Sequence, residues 1–152
     1  MAPNPAHAAS VSAVLFAATI TACSGLLSPS EELSDARRRW ADKGPSVYSI
    51  DLFRSCECTP EMSGPVIISV QNGTVQSRSY RTGGIVPPNM APFFPGIEGL
   101  FDLIADGRRR NAHRLEVRYD RELGYPAWLV IDYDKAVADD EFTYSVMAFR
   151  RL

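Results

Sequence analysis

Hydrophobic positions along the chain follow two rhythms in alternation. Leu33, Ala36 and Trp40 recur at the spacing of a helix that buries one face. Ser28-Pro29-Ser30-Glu31 supplies its start, with serine as cap, proline at the first helical position and glutamate three residues after the cap. Gly44-Pro45 ends it. The period then shortens to two. Val47 to Cys58 reads as a strand, and Val66–Val70 and Val75–Tyr80 flank Asn72-Gly73, a strong hairpin signal. Ile97, Leu100, Phe101 and Ile104 restore the helical spacing. Leu115, Val117 and Tyr119 alternate with Glu116 and Arg118, a strand with one wet face. Gly124-Tyr125-Pro126 turns the chain into Ala127–Tyr133, and Phe142–Phe149 supplies the last strand.

The resulting order is helix, three strands, helix, three strands. The expected fold class is α+β, with two helices on one face of a mostly antiparallel sheet in a tandem α-β-β-β arrangement. Two units of similar length suggest an internal duplication, although no residue-level repeat is visible. Between the third strand and the second helix, "TGGIVPPNMAPFFPG" is irregular, because Pro87, Pro88, Pro92 and Pro95 forbid helix and strand interiors. Its apolar residues fold over a sheet edge or core end, or else form a contact loop in which an exposed Phe93-Phe94 pair meets a ligand or partner.

The segment before the first helix has a different pattern. Ala8 to Ala22 carries no charge, yet it is short and diluted by Ser10, Ser12, Thr19 and Thr21 compared with the roughly 20 strongly apolar residues a bilayer span needs. It matches the apolar middle of an export signal. Ile20-Thr21-Ala22-Cys23 resembles the lipobox of bacterial lipoproteins, in which the cysteine is lipidated and becomes the mature N-terminus. The "MAPNPAH" in front lacks the usual Lys or Arg. This reading divides the chain into a signal peptide at residues 1–22, a lipidated tether at 23–28 and one α+β domain at 29–152. The protein is then exported to the cell envelope and held on a bacterial membrane through a lipid on Cys23, since two or more acyl chains anchor stably.

With Cys23 assigned to lipid, Cys56 and Cys58 remain as an even number in an oxidising compartment. In a flat strand their Cα atoms would lie roughly 6.6 Å apart, near the limit for a bridge, so a disulfide requires a bend. A reduced or redox-active pair and a pair of metal ligands are the alternatives. Zinc would need two further ligands, and His7 and His113 are the two histidines of the chain.

Charge and motifs narrow the function classes. A net charge of −2 gives no overall basicity to attract nucleic acid, and none is expected as a partner. Arg37-Arg38-Arg39 and Arg108-Arg109-Arg110 fall in the two helices, the second run where cations complement the helix dipole. No nucleophile elbow, phosphate loop or zinc-protease motif occurs. His113 reads as a surface residue. The acidic cluster Asp132, Asp134, Asp139, Asp140 and Glu141 fails as an EF-hand, because Val137 stands where the loop needs glycine and Thr143 where it needs glutamate. No catalytic residue, metal or cofactor is assigned.

"GLFDLI" (99–104), "VRYDRELGYPAWLVID" (117–132) and "ADDEFTYSV" (138–146), with Trp40, Tyr48, the Cys56/Cys58 pair and "VQNGTV", are together similar to an uncharacterised family of bacterial lipoproteins, domain of unknown function 6174. The resemblance implies a small exported α+β domain behind a lipid anchor, and it transfers no catalytic residue. Asp120, Gly124, Tyr125, Pro126 and Asp132 form its most specific string. Structural roles suit them: Asp120 as a cap to the turn backbone, Gly124 for a positive φ, Pro126 for a fixed φ before a strand. The expected function is a lipid-anchored, non-catalytic binding or structural module with an envelope protein as partner. The alternative is an envelope redox or hydrolytic enzyme using Cys56/Cys58 or the acidic cluster.

Overall fold

Ser28 caps the first helix as its sequence prescribes. Its side chain accepts from the Glu31 backbone, and the Glu31 carboxylate reaches back to the Ser28 N–H at 2.7 Å. This computed structural model describes residue 1, residues 28–137 and residues 140–152. The segment expected to be a signal peptide, Cys23, the expected tether before Ser28, and Asp139 lie outside the described residues. Helix α1 spans Pro29–Lys43. Strands β1 (Val47–Cys56), β2 (Val66–Gln71) and β3 (Thr74–Tyr80) follow, then helix α2 (Ile97–Arg109) and strands β4 (Arg114–Tyr119), β5 (Pro126–Asp132) and β6 (Glu141–Arg151).

The six strands form one sheet in the order β3-β2-β1-β6-β5-β4, and each neighbouring pair is antiparallel. The Asn72-Gly73 turn and loops too short for a crossover helix favour antiparallel neighbours within each half, and α2 carries the chain from one edge of the sheet to the other. The apolar phase of each strand points to one side. Tyr48, Ile50 and Leu52 of β1, Val66, Ile68 and Val70 of β2, and Leu129 and Ile131 of β5 meet Ala36 and Trp40 of α1 and Ile97, Leu100, Phe101 and Ile104 of α2 in a single core. Both helices therefore cover the same face, as an α+β architecture requires.

Two details depart from the sequence reading, and a third decides between its alternatives for the proline-rich loop. Strand β1 ends at Cys56 rather than Cys58, because the chain bends at Glu57-Cys58. Strand β6 runs on to Arg151, held by pairing of Ser49 with Arg150 and Tyr48 with Arg151. Phe94 is fully buried in the core and Phe93 is half-buried, so the pair is not an exposed contact loop. The proline-rich segment turns inward because Arg78 Nε donates to the Phe94 carbonyl at 2.7 Å and Tyr144 Oη donates to the Phe93 carbonyl at 2.8 Å.

Candidate functional site

On the core side of β1 the alternation Tyr48, Ile50, Leu52 continues to Arg54, which places a cation where an apolar residue is due. Arg54 is 7% exposed. Its guanidinium carbon lies 5.0 Å from the ring centre of Phe93, 5.5 Å from that of Phe142 and 6.0 Å from that of Tyr144. Three rings offering their faces stabilise a cation that water has largely left. Nη1 donates to the Met62 carbonyl at 3.0 Å, while Nε is buried with no hydrogen-bond partner among the described residues. No carboxylate among the described residues forms an ion pair with Arg54; Asp51, by contrast, receives both Arg81 and Arg150.

The cysteine pair closes this corner. The bend after Cys56 brings the Cα atoms of Cys56 and Cys58 to 5.3 Å, inside the range a bridge accepts, and their sulfurs to bonding distance. Arg54 Nη1 lies 2.6 Å from Cys56 Sγ and 3.4 Å from Cys58 Sγ, and Ser63 Oγ lies 3.5 Å from Cys58 Sγ. Cys56 also borders an open cleft of about 570 Å³ shared with Glu57, Asp132, Lys135, Glu141 and Thr143. Asp132 and Glu141 face each other across β5 and β6. Among the described residues, no group of three His, Cys, Asp or Glu side chains is disposed to hold a metal ion.

The remaining residues singled out in the sequence sit elsewhere. Asp120 Oδ1 accepts from the backbone N–H groups of Glu122 and Leu123, and the Asp120 N–H donates to the Tyr125 carbonyl, which closes the turn between β4 and β5. Gly124 has φ +83°, and a Cβ there would come within 2.5 Å of the Ala36 carbonyl oxygen, so the turn seats directly on α1. Tyr125 stacks on Phe149 and meets Trp40 edge-on. Pro126 opens β5. Asp132 alone of this string borders the cleft. His113 is exposed. The second arginine run meets Asp106, to which Arg109 and Arg110 both pair.

Arg54 belongs to none of the sequence motifs. Its signal was nevertheless present: a charged residue in phase with Ile50 and Leu52, two positions before Cys56. The sheet face away from the helices carries no local sequence motif. Opposite the helices, Ser77, Ser69, Ser49 and Arg150 form one cross-strand row, and Phe53, Ser145, Trp128 and Arg118 another. Arg118 lies 4.5 Å over the Trp128 ring, and Met147, the extra residue of a bulge in β6, is 60% exposed.

Among the described residues no helix is long and apolar enough to cross a membrane. A family model described as "Family of unknown function (DUF6174)" matches residues 32–151, the whole of the sheet and nearly all of α1. No curated protein and no solved structure matches the chain.

Proposed function

The chain belongs to the DUF6174 family of unknown function, and from that premise we propose that it is a lipid-anchored envelope protein whose domain binds another protein without catalysis. The observation that carries this reading is the sheet face turned away from both helices. Two helices cover one side, and the other side presents Phe53, Trp128, Met147, Arg118 and Arg150 among small serines. Aromatic residues, methionine and arginine set among small polar residues are the composition that protein interfaces favour. A face about six strands wide also suits a protein partner better than a small molecule, which needs a concave pocket. Anchorage rests on the lipobox-like Ile20-Thr21-Ala22-Cys23.

A photoreactive amino acid placed at Met147 in the native envelope tests the face. The expected outcome is a discrete adduct that is absent when the same group replaces Arg38, an exposed residue of α1, and that weakens in Arg118→Glu. Equal adducts from both positions would remove the reading. Fatty-acid labelling tests the anchor separately, since label must vanish in Cys23→Ala.

A further inference from the structure

Arg54 is a buried cation whose anion is missing in the oxidised form of the site. Three aromatic rings and one carbonyl offset its desolvation, but Nε is unpartnered and no carboxylate among the described residues reaches it. The groups nearest its Nη1 besides that carbonyl are the sulfurs of Cys56 and Cys58. A neutral disulfide gives the guanidinium little, whereas a thiolate at the same position would supply a full counter-charge in a poorly solvated corner. A thiolate at Cys56 would therefore match the Arg54 guanidinium better than the neutral bridge does.

We propose that Cys56–Cys58 is a thiol–disulfide exchange site for a thiol-bearing protein of the envelope, with Arg54 receiving the departing Cys56 thiolate. The partner's thiolate attacks Cys58 Sγ. The Cys56–Cys58 bond breaks as the partner–Cys58 disulfide forms, and the electron pair leaves on Cys56 Sγ beside Arg54. A second thiolate of the partner then attacks its own sulfur in the mixed disulfide and expels the Cys58 thiolate, which takes up a proton. Two partner thiols are oxidised to one disulfide, and the Cys56–Cys58 bridge is reduced by two electrons. The direction of attack follows from distance: Cys56 lies closer to Nη1 than Cys58 does, 2.6 against 3.4 Å, and a better-stabilised thiolate leaves faster.

Other charges face the pair. Glu57 lies between the two cysteines, and Asp132, Glu141 and Lys135 border the same cleft; Glu61 and Tyr144 lie on the neighbouring turn and strand. Glu57, Lys135, Glu141 and Glu61 are exposed, where water screens them, while Arg54 touches sulfur directly from a buried position. The exchange reaction adds chemistry at a separate corner to the non-catalytic binding assigned to the sheet face, and it would stand if that face bound nothing.

A structural pin would hold the Met62 carbonyl and the rings whatever the state of the sulfurs, so the test reads the sulfurs. In the reduced protein, alkylation of Cys56 by iodoacetamide is followed against pH with peptide mapping. The expected half-titration lies at least one pH unit below the ordinary thiol value of about 8.5, a thiolate excess of about tenfold at pH 6.5. It moves up in Arg54→Met and stays low in Arg54→Lys. An ordinary value in the folded wild type, equal to that of the same chain in guanidinium, overturns the proposal even if Arg54→Met does not fold. Brief exposure of the oxidised protein to reduced glutathione, quenched with acid, should leave the mixed disulfide on Cys58; finding it on Cys56 refutes the assigned direction.

Discussion

Asp51 shows how much one residue's environment depends on chain segments far from it. It is 1% exposed on the face away from the helices, and it is clamped by Arg150, with Nη1 at 2.7 Å from Oδ1, and by Arg81, at 3.0 Å from Oδ2. Hydrogen bonds from Arg150 hold its carboxyl below the usual carboxylate range against the opposing cost of burial, and the charges of Arg150 and Arg81 add to the effect. A depressed folded-state value means that the stabilisation is complete above the unfolded value of about 3.9 and is lost as pH falls through the folded value. Asp51→Asn is therefore expected to cost about 1–2 kcal/mol at neutral pH, a discounted figure because both arginines are half-exposed. The gap from wild type should close as pH falls below about 4. Urea titrations at stepped pH check this, and a gap that ignores pH would contradict it. The sequence concealed this clamp because its arginines lie 30 and 99 residues from Asp51. Periodicity marks a polar position as outward-facing and says nothing about what meets it there.

At the scale of elements, the two helices are tied through β1 by one carboxylate. Glu98 stands in the first turn of α2, where the dipole favours an acid. It accepts from Trp40 Nε1 of α1 at 3.2 Å and from Tyr48 Oη of β1 at 2.9 Å, while Tyr48 Oη itself accepts from the Ile97 N–H that begins α2. Burial, with Glu98 beside it, pushes the Tyr48 phenol far up, so it remains a neutral donor across any working pH. Trp40→Phe and Tyr48→Phe are each expected to cost about 1–2 kcal/mol. The double variant should exceed their sum by about 0.5 kcal/mol or more, because it alone strips the half-buried carboxylate of both donors. Strictly additive losses in chemical denaturation would exclude a shared node. The elements themselves were legible, since the Ser28 cap, the Asn72-Gly73 hairpin and the Ile97–Ile104 spacing are local signals. The end of β1 and the destination of Phe93-Phe94 were not. Prolines forbid regular structure in that loop but do not indicate which surface it covers, and the Phe94 carbonyl finds its arginine on another strand.

For the whole molecule, strand order bears on whether the repeated α-β-β-β pattern reflects two copies of one unit. Matching β1, β2 and β3 to β4, β5 and β6 preserves their left-to-right order across the sheet, because the order reads β3-β2-β1 and then β6-β5-β4. All neighbours are antiparallel, so the same matching reverses every strand direction. A rotation that keeps the order and reverses the strands must turn the sheet over, which would put α2 on the face opposite α1. Both helices lie on one face in one core, so the halves share an order of elements without being rotated copies, and the duplication suggested by the sequence does not describe the fold. Cooperativity should follow from this. If the halves were independent units, β1 and β6 would each be an edge strand and would lose amide protection early. As built, they are the two central strands, paired from Tyr48 with Arg151 to Cys56 with Phe142, while β3 and β4 form the outer edges. Native-state hydrogen exchange should therefore show β1 and β6 amides opening only with the global transition, and β3 and β4 amides opening by smaller local fluctuations. Early exchange at the β1–β6 seam would mean that the halves part before they unfold, and would return the molecule to two separable units.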